Sequence, residues 1–130
     1  MVSKNRTPCS GTDTVLSHVM LPLHTNHYGS IHGAVILGFI DEVAFVAATR
    51  LTGKNVVLAA VNHASFDHPV KVGSLLTLRA NISSIGHTSV KLKVTFEAED
   101  LKTKKTLRIG SADLVMVAVD PKGRPTKIGR

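Results

Sequence analysis

Alternation dominates the second half of the chain. From Ser89 to Glu99, Val90, Leu92, Val94, Phe96 and Ala98 fall on one parity, while Lys91, Lys93, Thr95, Glu97 and Glu99 fall on the other. That period of two predicts a strand with one face in the core and one in water. Leu75 to Ile85 predicts another strand, broken by Gly86, and Leu107 to Val119 a last one, ended by Asp120-Pro-Lys-Gly. Asn55 to Phe66 is rich in Val and Ala, the composition of a strand buried on both faces. Pro69-Val-Lys-Val-Gly73 carries turn residues. Ahead of these, Thr12 to Met20 predicts a first strand and Leu21 to Ser30 a polar loop. The four later strands read as a hairpin succession.

Between the loop and the second strand the period changes to that of a helix. The pattern predicts one from about Gly33 to Thr52, with Gly53 where a left-handed C-cap belongs. From Ala34 to Ala48 its only charged side chains are Asp41 and Glu42. Asp41 shares its face with Ala34, Leu37, Gly38, Phe45 and Ala48, so it does not belong to a solvated stripe. A carboxylate in that setting is a candidate acid, base or nucleophile. The bland alternative is a structural aspartate that caps a neighbouring loop or pairs with Arg50. A helix apolar nearly all round needs cover on more than one face. A single sheet supplies one, so loops or another subunit must supply the other, and an obligate oligomer is expected.

Composition narrows the classes. With 130 residues the chain is expected to form one domain over 1–130, its ends at 1–11 and 126–130 frayed. The net charge of +7 suits a phosphate-bearing ligand. With one Tyr, four Phe and no Trp there is little material for stacking bases, so nucleic acid is not expected as a partner. No apolar run approaches the ~20 residues of a membrane span, and no signal peptide opens the chain. A cytoplasmic protein without membrane association is expected. A single cysteine offers no disulfide and no thiolate cluster, and His24-x-x-His27 alone is an incomplete metal set, so no metal is expected. No Gly-x-Ser-x-Gly elbow is present. His32, next to Gly33, reads as a pocket-lining residue rather than a catalyst.

The run TNHYGSIHGAVILGFID, followed by VNHASFDHPVKVGSLLTLRANISSIGHTSVKLKVTFEAED, resembles the hot-dog-fold acyl-CoA thioesterases, especially the bacterial short-chain and brain-type acyl-CoA hydrolases. The marks are Thr-Asn-x-x-Gly-x-Ile-x-Gly, an aspartate eight residues after its last glycine, Phe-x-x-Pro-Val-x-x-Gly, and a Gly-x-Thr-Ser before the alternating strand. The resemblance extends from about Val19 to Pro125. It implies an α+β hot-dog fold, with a five-stranded antiparallel sheet wrapped around one long central helix. It implies a homodimer, assembled further into a tetramer or hexamer, that hydrolyses acyl-CoA to fatty acid and coenzyme A. No cofactor is implied, because coenzyme A is part of the substrate and product.

Carried over by position, the catalytic aspartate falls on Asp41, the catalytic asparagine on Asn26, and the glycine whose amide opens the helix on Gly33. His32, Ala34 and Phe66 fall at the substrate pocket. Thr88 and Ser89 lie along the pantetheine or nucleotide, with Lys122 and Arg124 at the nucleotide end. The chain departs from the common pattern at His24, where many relatives have Asp, at Ser30, and at His32-Gly33-Ala34 in place of Phe-Gly-Gly. The chemistry suits the residues independently: thioester hydrolysis needs a base or nucleophile, and donors for the developing oxyanion. Gly33 at a helix start offers an unpaired amide at the positive end of the dipole, although a glycine there also serves close packing. Two other functions fit these features. One is an enoyl-CoA hydratase or dehydratase of the same fold, using His24 or His32 with Asp41. The other is a non-catalytic acyl-CoA sensor.

Overall fold

The computed structural model describes residues 13–128. Strand β1 (Thr14–Val19) leads through a 3-10 turn (Pro22–His24) to helix α1 (Gly33–Thr52). Strands β2 (Asn55–Phe66), β3 (Leu75–Ile85), β4 (Ser89–Glu99) and β5 (Thr106–Val119) follow. Gly53 ends the helix in the left-handed region, φ 68°, and donates its amide to the Thr49 carbonyl at 2.8 Å. That conformation costs glycine least, which is why the sequence marks the end so sharply.

The five strands form one antiparallel sheet in the order β1-β3-β4-β5-β2. Only β3-β4-β5 are hairpin neighbours, so the expected hairpin succession fails at β2. That strand runs along β5, from Asn55↔Val119 to Phe66↔Gly110, at the far edge of the sheet. The link between β2 and β3 is too long for a tight hairpin and crosses to the other side. On the way Val70 accepts the Ile31 amide at 2.9 Å, and Met20 exchanges bonds with Gly73 and Ser74 at 2.8 and 2.9 Å.

The core lies between one face of α1 and one face of the sheet. Ile36, Ile40, Val43, Ala44, Ala47 and Ala48 line the inner side of the helix at no more than 3% exposure. The alanines let it lie close to the pleat. From β4, Val90, Leu92, Val94, Phe96 and Ala98 enter the core, as the alternation predicts, and Lys91 and Lys93 stay outside. Gly110 is fixed by close approach. A Cβ there would collide with the Ser65 carbonyl oxygen and crowd the Phe96 ring. Its bareness lets Phe66 and Phe96, its cross-strand neighbours on either side, meet with centroids 5.6 Å apart.

Two expectations are corrected here, one at β2 and one at the end of the chain. Strand β2 is not buried on both faces: as an edge strand it exposes Val57, Leu58 and Val61 at 41–49%. Apart from Ala48, the face of α1 that carries Asp41 lies outside the core of the chain. Leu37 and Phe45 are 40% and 46% exposed, and Ala34 and Gly38 are open. The end of the chain is not frayed through residue 128. Thr126 donates to Ala118 and Ile128 to His87, at 2.8 and 2.9 Å, and the Ile128 side chain is buried. An apolar side chain with a place in the core outweighs the charged composition around it. Residues 1–12, which include the frayed start and the Thr12 limit of the first strand, both expected from sequence, and 129–130 lie outside the described residues.

Candidate active site

The loop before the helix is built around Asn26. Its amide donates to the Ser30 carbonyl at 2.8 Å, and its Oδ1 accepts the amides of Tyr28 and Ser30 at 2.9 and 3.2 Å. Gly29, at φ 87°, lets the chain reverse inside that ring. The side-chain oxygen of Asn26 is therefore spent on the turn, while its amide nitrogen has no partner among the described residues. The turn reading and the site reading thus share one residue, through different atoms.

His32 caps the helix with extended backbone and no side-chain bond. The amides of Gly33 and Ala34 donate to no group among the described residues, whereas those of Val35 and Ile36 bond to the His32 carbonyl. Two free donors thus stand at the positive end of the dipole. Around Gly33 a Cβ would meet nothing within 4 Å. Close packing within the chain does not account for this glycine. His32 and Ala34 are exposed beside it.

Asp41 stands two turns along α1, half-buried at the edge of the open face. It has no hydrogen-bond or ion-pair partner among the described residues. Arg50, the structural partner considered from sequence, instead donates to Thr14 Oγ1 at 3.3 Å. Glu42, the adjacent carboxylate, is held by His18 Nε2 at 2.9 Å. The two carboxylates are thus unlike: one is tied down and one is free. From Gly33 to Asp41 is eight residues, about 12 Å along the axis at ~1.5 Å per residue.

The remaining predicted residues form a separate region. Thr88, at the end of the β3–β4 turn, and Ser89, the first residue of β4, are half-buried. The Thr88 carbonyl accepts the Ala118 amide at 2.9 Å, and the returning tail lies alongside through Thr126 and Ile128. Lys122 and Arg124 occupy the next turn, both exposed. There Asp120 Oδ1 accepts both of their amides at 2.9 Å, and Arg124 Nε lies 3.3 Å from Oδ2. The Arg124 amide in particular holds the Asp120 carboxyl below its ordinary pKa. Phe66 is partly exposed at the end of β2. One copy therefore places Asn26 in the loop that leads to His32, Gly33 and Ala34 at the helix start, and sets Thr88 beside the tail. It does not bring Asp41 to Gly33.

Two features were not foreseen from sequence. A groove of about 850 Å³ runs beside the β4–β5 turn, lined by Lys71, Lys102 and Lys105 over an apolar floor that includes Val70 and Ile109, and none of Asn26, Gly33 and Asp41 lines it. His18, Phe39 and His24 pack in series beside the loop. Among the described residues no group of three His, Cys, Asp or Glu side chains is arranged to hold a metal, and no helix is long and apolar enough to cross a membrane.

The family model described as the thioesterase superfamily matches residues 28–105. Protein VdlD of Helicobacter pylori is 35% identical over 115 residues, covering 88% of this chain and 66% of that protein. The chain thus spans just under two thirds of that relative. A solved apo-hexameric acyl-CoA thioesterase superposes with a TM-score of 0.87 at 31% identity, covering 93% of this chain and 78% of that one. An acyl-CoA hydrolase of Staphylococcus aureus, solved with butyryl coenzyme A and coenzyme A, gives 0.84 at 28%, covering 92% and 73%. That hydrolase has also been solved with an asparagine, and separately an aspartate, changed to alanine. The two positions are fifteen residues apart, the separation of Asn26 and Asp41. The sheet with its one long helix is the hot-dog fold.

Proposed function

The chain belongs to the thioesterase superfamily, and we propose from that premise that it hydrolyses acyl-CoA thioesters to free fatty acid and coenzyme A. The observation that carries this reading is the contrast between the two helix carboxylates. Glu42 is hydrogen-bonded to His18, while Asp41 stands unpartnered on an apolar face. A structural aspartate would be tied as Glu42 is. Asp41 serves as general base on a water, or attacks the thioester carbon directly to form a mixed anhydride that water then hydrolyses to fatty acid and free Asp41; in either case the electrons of the cleaved C–S bond leave with the coenzyme A thiolate. The Gly33 amide donates to the developing oxyanion. Asn26, through its free amide nitrogen, orients the water or the carbonyl.

The working site is proposed to lie between two copies. Catalysis requires the attacking atom within about 3–3.5 Å of the carbon, with the oxyanion donor at hydrogen-bond distance. A helix that separates Gly33 from Asp41 by about 12 Å cannot meet both from one chain. A two-fold axis with antiparallel helices sets Asp41 of one copy against Asn26 and Gly33 of the other. The uncovered apolar face of α1 and the exposed edge of β2 support such a pairing. Further assembly into a tetramer or hexamer is the expected extension. Thr88, Ser89, Lys122 and Arg124 are assigned to the pantetheine and nucleotide, and His32, Ala34 and Phe66 to the pocket. The reaction is placed in the cytoplasm, with residues 1–130 as one domain.

The test is thiol release from a panel of saturated acyl-CoA esters. Release that exceeds the uncatalysed rate supports the assignment. Hydration of enoyl-CoA without thiol release would instead make the protein a hydratase, and binding without turnover a sensor.

A further inference from the structure

From the packing around the loop we infer that His24 is a positioning residue for Asn26, acting through three hydrogen bonds and one ring contact; the inference rests on the proposed role of Asn26. Its Nδ1 accepts the Leu21 amide at 3.0 Å, and the His24 amide returns to the Leu21 carbonyl at 2.9 Å. An Nδ1 that accepts carries no hydrogen, so in this bond the donor nitrogen of the ring is Nε2. The His24 carbonyl accepts the amide of His32, the helix cap, at 2.8 Å. The residue therefore fixes both the entry to the loop, two positions before Asn26, and the start of the helix, one position before Gly33.

The ring is anchored in turn. It meets the Phe39 ring edge-on, with centroids 5.8 Å apart and planes at 89°. On Phe39 lies His18, stacked at 4.1 Å and 12°, and His18 is held by Glu42 at 2.9 Å. Residues 39 and 42 sit one turn apart on a flank of α1 different from the one that carries Asp41. The series Glu42, His18, Phe39 and His24 thus joins β1, the helix and the loop in one packed column. An aspartate at position 24 could accept the Leu21 amide but could offer no edge to Phe39. This chain sets its loop against the helix by aromatic packing as well as by backbone bonds. A catalytic group displaced by about 1 Å can lose about a hundredfold in rate, so the column bears on turnover.

The experiment compares His24→Ala, His24→Asn, Asn26→Ala and the double variant His24→Ala/Asn26→Ala, measuring kcat, KM for one acyl-CoA, and Tm. His24→Ala is expected to lower kcat about ten- to a hundredfold, while KM moves little because CoA contacts lie elsewhere. His24→Asn, whose Oδ1 can accept the Leu21 amide, should recover part of that loss and keeps the test usable if the alanine variant folds poorly. In the Asn26→Ala background the His24 substitution should cost much less kcat than it does in the wild-type background, because its effect runs mainly through Asn26. Additive losses in the double variant, or His24→Ala and His24→Asn both turning over at the wild-type rate, would overturn the inference. Full turnover by Asn26→Ala would sink the catalytic reading itself. An inactive Asn26→Ala beside an unaffected His24→Ala would sink only the positioning role.

Discussion

Mixing two inactive variants probes the shared site, because the geometry sets the yield in advance. Asn26→Ala removes the loop group and Asp41→Asn the helix carboxylate, each expected to cost roughly two decades or more of rate. With Gly33 and Asp41 about 12 Å apart on one helix, the loop group and the carboxylate of any working site come from different chains. Co-unfolding and refolding equal amounts gives half of the dimers mixed. In each of these, one site receives both wild-type groups and the other neither. Recovery should therefore approach a quarter of wild-type activity per chain, far above the residual rate of either variant, and the same fraction holds if dimers assemble further. The assay is thiol release before and after mixing, with wild-type protein refolded in parallel to correct for yield. If the groups act within one chain, every site carries a lesion. Activity no higher than the mean of the two variants would refute the reasoning.

Gly33→Ala should separate packing from chemistry: the chain has room for the methyl group, so Tm should hold while kcat/KM falls at least about tenfold as the oxyanion donor is obstructed. A large loss of Tm with turnover per folded site intact would restore the packing explanation. Phe45→Glu puts a charge on the open face of α1, where the side chain is 46% exposed in one copy; sedimentation velocity should register a shift from oligomer toward monomer, and an unchanged oligomer would remove that face from the interface. Gly110→Ala forces a methyl group against the Ser65 carbonyl and should cost about 1–3 kcal/mol in urea unfolding, a loss that a neutral result would contradict.

The helix limits were legible because local chemistry writes them: Gly53 at the C-cap and an apolar run opened by Gly33 need no knowledge of the rest of the chain. Strand limits read equally well where alternation was clean, as in β4. Strand order was not legible. Nothing in the composition of β2 says that it pairs with β5 rather than β3, since pairing is decided by the long crossover and by which edge is free. The apolar positions of β2 were read as burial on both faces within one chain, whereas the apolar surround of the helix was read as needing cover from loops or another subunit. Hydropathy reports a demand for cover but not its source. The partner of Arg50 and the His18–Phe39–His24 column depend on contacts between segments far apart in sequence, which periodicity cannot reach. The resemblance to hot-dog thioesterases singled out Asn26 and Gly33 among several turn residues and glycines. The structure added the free amides beside them.

The most direct measurement is hydrolysis of a saturated acyl-CoA by Asp41→Asn beside the wild-type protein, with folding and assembly checked for both. The substitution preserves size and hydrogen bonding but removes the anion and the base. The account predicts thiol release by the wild-type chain and a loss of about a hundredfold or more in the variant, with Tm and oligomeric state unchanged. A folded, assembled variant that hydrolyses acyl-CoA at near the wild-type rate would contradict it.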